Sequence, residues 1–207
     1  MTGEGLRERK KQQTRAALSE AATRLFLEKG YQSTTVAEIA AEAGVSTKTL
    51  FNYFSGKEDV LFAHRRQRID EMERVLAEQV RATGPAEALH RTAECVLAWI
   101  GTGDGPGLEP NATQARLIMS VPELRSRLLS LLWELERRLA TVLHEAYPRQ
   151  LDLVTAAAAV GALVGGMHAA ARACLDRGDP VEALVPAAER GIAVAMRGLE
   201  DVVAQLR

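Results

Sequence analysis

Between residues 35 and 57 the chain gathers side chains suited to hydrogen bonding with a polyanion or a base edge. Ser46, Thr47, Lys48, Thr49 and Asn52 supply short donors and acceptors and one cation, on the helical face opposite Leu50. Tyr53 and Lys57 follow at a distance from which they could reach phosphates. Residue types associated with catalysis are dispersed instead. His64, His90, His144 and His168 form no HExxH pair, and Cys95 and Cys174 lack metal-binding spacing. Neither a Gly-x-Ser-x-Gly elbow nor a phosphate-cradling glycine pattern occurs. The expectation is recognition without catalysis, cofactor or metal.

Local signals position these residues. Thr35 with Glu38 reads as a capping box, in which the hydroxyl takes an orphan amide of the first turn and the acid reaches back to the cap. Ile39, Ala40 and Ala43 give that helix its apolar face, and Gly44 suits a left-handed turn. Ser46 caps the next helix, with Leu50 and Phe54 four apart and inward. Ser55 with Glu58 repeats the box and predicts a third start. The pattern is that of a helix-turn-helix, whose second helix enters the DNA major groove. Two amphipathic helices of an ordinary bundle, with capping hydroxyls and a solvated lysine, would carry the same local signals.

Composition favours an all-helical globular chain. Of 207 residues, 47% are apolar and only 4% aromatic, and no β-branched alternating run appears. The net charge of −1 excludes a globally basic nucleic-acid binder. Arg7, Arg9, Lys10, Lys11 and Arg15 nevertheless form a local basic excess, suited to phosphates or simply to solvent. The distant cysteines and the absence of an apolar leader point to a reducing cytoplasm. Residues 153–171 lack Asp, Glu, Lys and Arg and approach a membrane span in length, but their Ala and Gly content favours a buried, close-packed helix over a membrane one.

Along the chain, residues 1–5 should be disordered, and a long helix from Leu6 to Lys29 should stop at Gly30. After the paired helices, one helix is predicted from Ser55 to about Ala82, buried along Ile69, Met72, Leu76 and Val80 and linking two domains, residues 1–60 and 61–207. A break at Thr83-Gly84-Pro85 precedes a helix over 86–100 and a Gly/Pro-rich loop. Asn111 is a candidate cap for a short helix, and Ser120 opens a long Leu-rich one. Its broad stripe, including Leu129, Leu132 and Trp133, implies more than one neighbour. The Ala/Gly-rich helix, about 151–176, carries Gly161, Gly165 and Gly166, which would admit a close partner. In the last helix Pro186 predicts a kink or a delayed start. About nine helices result.

The segment RAALSEAATRLFLEKGYQSTTVAEIAAEAGVSTKTLFNYFSGKEDVL, Arg15 to Leu61, resembles the TetR family of bacterial transcriptional regulators. Its LFNYF version, and more weakly QARLIMSVPELRSRLL, are similar to a mycofactocin-regulator-like subgroup of acyl-CoA type. The resemblance implies an all-α protein: a three-helix DNA-binding domain with a linking helix, then a helical ligand-binding and dimerisation domain. It implies a homodimer on a near-palindromic operator, the last two helices usually forming the dimer's four-helix bundle. Carried across, Thr35, Tyr53 and Lys57 look like phosphate contacts, and Ser46, Thr47, Lys48 and Asn52 like groove contacts. Many relatives have Gly at Lys48 or Thr49, so contact here is expected to be driven more by side chains.

The expected function is therefore a sequence-specific repressor released from its operator by a small hydrophobic ligand, possibly acyl-CoA-like. The alternative is a constitutive DNA-binding dimer whose second domain only dimerises. Trp99, Met119, Trp133, Met167 and His168 are the candidate pocket residues, large apolar groups with one polar handle, though the same residue types also fill cores.

Overall fold

The computed structural model describes residues 3–63, 65–102 and 112–205. Among them every regular element is helical: α1 (Gly3–Lys29), α2 (Val36–Glu42), α3 (Thr47–Phe51), α4 (Lys57–Val60), α5 (Arg65–Gln79), α6 (Pro85–Thr102), α7 (Ala112–Ser120), α8 (Pro122–Ala146), α9 (Leu153–Arg177) and α10 (Leu184–Gln205), with a single 3₁₀ turn at Val181–Ala183. The Gly/Pro-rich loop, its Asn111 cap and His64 lie outside the described residues.

The chain divides into two compact units. The first holds the described residues up to Ala63 together with Arg116–Leu128, and the second holds 65–115 and Leu129 onward. In the first, α1 packs on α2 and α4, and α2 on α3. Leu18, Ala22, Phe26, Ile39, Leu50 and Val60 form its core. The stretch from Arg116 to Leu128 is tied in by Gln32, which donates to Glu123 Oε1 at 2.6 Å, and by Arg127, whose Nε reaches Asp59 Oδ1 at 2.5 Å. Nothing in the local pattern of the chain announces that these later residues join the first unit.

The single helix expected from Ser55 to Ala82 is two helices. Leu61, Phe62 and Ala63 form a turn between them, and all three are buried. No Gly or Pro marks the break, so burial of three adjacent apolar side chains, which one helix face cannot achieve, overrides helix propensity. The Ser55–Glu58 capping box is absent as well. Gly56 occupies the N-cap without a side-chain bond, and the Ser55 amide donates to Asp59 Oδ2 at 3.2 Å.

In the second unit α10 packs along α9 and against α6, and α6 against α5. Arg138 of α8 reaches Asp70 Oδ1 at 2.8 Å and Glu73 Oε2 at 2.9 Å, both on α5. The Tyr147 hydroxyl holds the residues after α5 by donating to the carbonyl oxygens of Val80, at 3.1 Å, and Thr83. Pro186 stands in the first turn of α10, and the 3₁₀ turn precedes it; the proline delays the helix rather than kinking it. Gly178 ends α9 in the left-handed region at φ 75°, its amide and that of Asp179 returning to Leu175 and Cys174.

Two expectations about packing change. The predicted second contact face of α8 is uncovered, with Leu129 exposed and Trp133 69% exposed. Helix α9 is long and apolar enough to cross a membrane by length and composition, yet most of it is uncovered within one chain, contrary to the buried helix expected. Val154 is 77% exposed there and Val194, on α10, is 68% exposed. These residues and Leu153 leave a largely apolar face on the α9–α10 pair, with a shallow groove of about 610 Å³ lined by small residues and Arg190.

Candidate nucleic-acid interface

Caps hold the reading helix in place. Thr35 accepts from the Glu38 amide at 3.2 Å, and Glu38 Oε2 takes the Thr35 amide at 2.8 Å and its hydroxyl at 2.7 Å. The Lys29 ammonium and the two Thr35 bonds hold the Glu38 carboxyl down at about 2. Gly44 then turns in the left-handed region at φ 69°. Ser46 Oγ accepts the Thr49 amide at 3.1 Å and pairs with the Thr49 hydroxyl at 2.8 Å. Leu50 and Phe54 are buried and anchor the helix from behind.

What remains facing outward is a four-residue patch. Thr47, Lys48, Phe51 and Asn52 are exposed, and no hydrogen bond engages the side chains of Thr47, Lys48 or Asn52 among the described residues. Residues 47 and 51 are four apart, as are 48 and 52, so they form two adjacent rows. Phe51, which sequence reasoning passed over, is 54% exposed. Its helical phase, one residue off the inward Leu50–Phe54 pair, was the available signal. An exposed ring beside an amide, a hydroxyl and an ammonium suits a groove in which a thymine methyl is the apolar feature.

The residues assigned to phosphates are partly spent within the protein. Thr35 uses both its donors on Glu38. Tyr53 is half-buried under the Arg15 guanidinium, 5.8 Å from the ring centroid, and Arg15 Nε is buried without a partner. Lys57 departs furthest from its expected part. Its ammonium donates to the carbonyl oxygens of Tyr31 at 2.7 Å and Thr34 at 3.0 Å, approaches that of Gln32 at 3.5 Å, and lies 4.2 Å from the Tyr31 ring centroid. It closes the turn between α1 and α2. Burial, then Glu58 and Glu123, push the Tyr31 phenol up to about 12. Arg7, Arg9 and Lys10 are exposed along the start of α1.

Residues 18–64 match the family described as bacterial regulatory proteins, tetR family. The chain is 34% identical over 154 residues to the HTH-type transcriptional regulator TcmR of Streptomyces glaucescens, a match covering 72% of this chain and 67% of that one. The chain belongs to the TetR family. Its fold recurs in SmeT, the repressor of the Stenotrophomonas maltophilia multidrug efflux pump SmeDEF, with a TM-score of 0.58 at 15% identity over 89% of both chains. It recurs also in FadR from Bacillus subtilis in complex with stearoyl-CoA, with a TM-score of 0.53 at 20% identity, covering 88% of this chain and 98% of that one. This TetR-family protein is a DNA-binding transcriptional regulator. The exposed patch at Thr47, Lys48, Phe51 and Asn52 lies on the second helix of its helix-turn-helix.

The candidate ligand residues do not form one group. Met119 falls in the first unit and is half-buried, whereas Trp99, Trp133, Met167 and His168 belong to the second. Trp99, Met167 and His168 are half-buried there. Trp133 is solvent-facing, which removes it from any enclosed pocket within one chain. Burial, then Arg172 and Arg65, pull the His168 imidazole below its ordinary range.

Proposed function

We propose that this regulator is a homodimeric repressor that reads a near-palindromic operator through Thr47, Lys48, Phe51 and Asn52 and leaves it when a small hydrophobic ligand binds the second unit. The observation that carries the reading is the patch itself: three polar side chains without protein partners around one exposed ring, on a helix fixed by caps and a buried Leu50. Ser46 contributes as the cap that sets the helix N-terminus, and Tyr53 with Arg15 flanks it. The apolar body of the ligand follows FadR, whose complex holds stearoyl-CoA. The protein works in the cytoplasm and carries out no catalysis.

The test is binding to DNA flanking the gene. Lys48→Ala should cost about 1–3 kcal/mol and relax preference at one operator position. A uniform loss across all sequences would remove Lys48 from base readout. Sequence-independent binding by the folded wild type at physiological salt would defeat the reading as a whole.

Dimerisation is assigned to the uncovered α9–α10 face. Exposed valines and leucines on helices with small residues are suited to an isologous four-helix contact. Two reading helices then lie one or more DNA turns apart, about 34–36 Å per turn. Val154→Glu should shift the protein to monomer in sedimentation and abolish tight operator binding. A dimer unaffected by that charge would place the interface elsewhere.

A further inference from the structure

The first turns of α5 break that helix's own pattern. Its buried line runs through Ile69 and Leu76. Arg65 stands four residues before Ile69 and Arg68 eight before Leu76, so both guanidinium groups occupy the stripe where apolar side chains belong. Both are half-buried. Arg68 makes no hydrogen bond or ion pair among the described residues.

The nearby acids are committed elsewhere. Asp70 and Glu73 pair with Arg138, and Glu71 and Glu78 with Arg74. Across from α5, α9 contributes His168 from a stretch, 153–171, that contains no acid at all, and Asp176 beyond it pairs with Arg172 at 3.5 Å. Glu136 of α8 is raised by its own burial with no cation opposing the shift, so it is not a hidden counter-ion. Burial pulls Arg65 down to about 9, with Arg68 adding to the effect, and pulls Arg68 down to about 10; no carboxylate offsets either. The same field from Arg65 acts on His168. A guanidinium withdrawn from water without an anion is a costly arrangement, and a ligand that brings the anion recovers the desolvation already spent. The planar fork of Arg matches a carboxylate or a phosphate oxygen pair.

We infer that Arg65 and Arg68 of α5, with His168 of α9 as a neutral hydrogen-bonding partner, receive the acidic end of the effector, which is an amphipathic anion: an apolar body carrying a carboxylate or phosphate head. This rests on the reading of the protein as ligand-released, and it adds the charge that the ligand must carry.

The experiment titrates the full-length protein with dodecanoate, dodecanoyl-CoA and the neutral 1-dodecanol, reading calorimetric affinity and unfolding temperature. At least one anion should bind about tenfold or more tightly than dodecanol. Preference for dodecanoate assigns a carboxylate head, and preference for the thioester assigns the phosphates. Arg68→Met should unfold at a higher temperature than wild type without ligand and lose the anion preference; Arg68→Gln serves if the methionine variant misfolds. Equal affinity for dodecanol, no binding of either anion, or an anion preference retained without Arg68 overturns the inference. Operator release is followed in parallel. Arg68-dependent anion binding without release keeps this site and defeats the ligand-released repressor, whereas release by dodecanol with Arg68 irrelevant keeps the repressor and defeats the site.

Discussion

Gly191→Ala should lower the stability of the second unit by about 3 kcal/mol, and the unfolding temperature at fixed protein concentration by about 6–12 °C. Helices α9 and α10 cross with their backbones in direct contact. A Cβ on Gly191 would lie 2.4 Å from the Gly166 carbonyl oxygen, 2.6 Å from its carbon and 2.9 Å from the Met167 nitrogen. From the other side, a Cβ on Gly166 would lie 2.8 Å from the Gly191 oxygen. These neighbours are main-chain atoms, so no side chain can swing away, and the helices must separate by about 1 Å to restore ordinary contact. That separation loosens packing along the pair around Val160, Leu163, Ala188 and Ile192, all buried. Ordinarily alanine favours a helix over glycine by about 1 kcal/mol. Gly161→Ala is therefore the control: a methyl there meets nothing within 4 Å, and the variant should be neutral or slightly more stable within the chain. If Gly191→Ala unfolds at the wild-type temperature, the close crossing is not what holds α10.

That crossing shows where sequence reading reaches its limit. Gly161, Gly165 and Gly166 stood out as a small-residue stripe, but only Gly166 meets a helix of its own chain, and its partner, Gly191, carries no local mark. What was legible is governed by near neighbours in sequence. The boxes and caps at Thr35, Glu38 and Ser46 satisfy amides three residues away. Gly30, Gly44 and Gly178 take the left-handed conformation that ends a helix. What was not legible depends on distant residues. The break at Leu61–Ala63 follows from burying three consecutive apolar side chains. Arg116–Leu128 joins the first unit through Glu123 and Arg127, whose partners are remote in sequence. The same division runs through the site. The outward set at Thr47, Lys48 and Asn52 follows from helical phase, and Phe51 would have followed from it too. The assignments of Thr35 and Lys57 rested on residue type and family position, which do not reveal how many of a side chain's donors the protein itself consumes.

Lys57→Met should destabilise the first unit by about 2–3 kcal/mol, as expected for charge-assisted hydrogen bonds replaced by unsatisfied carbonyl oxygens. Methionine keeps the length and apolar stem but offers no donor to Tyr31, Thr34 and Gln32. Those carbonyls follow the C-terminal end of α1, where negative potential accumulates and a cation is favoured. Tyr31 is tied to the same arrangement, its ring stacked on Phe26 at 5.0 Å and facing the ammonium. Loss of the clamp should free the turn that delivers Thr35, the cap of α2, and operator affinity should fall because fewer molecules hold the reading helix in place. The competing account, in which Lys57 binds a phosphate, predicts different observables. Stability would be unchanged, affinity would fall uniformly, and the slope of log affinity against log salt would drop by about 1. Urea unfolding and a salt titration on the same variant separate the two. A wild-type unfolding midpoint with a reduced salt slope would return Lys57 to the DNA backbone, whereas a lowered midpoint with an unchanged slope fixes it as the clamp of the α1–α2 turn.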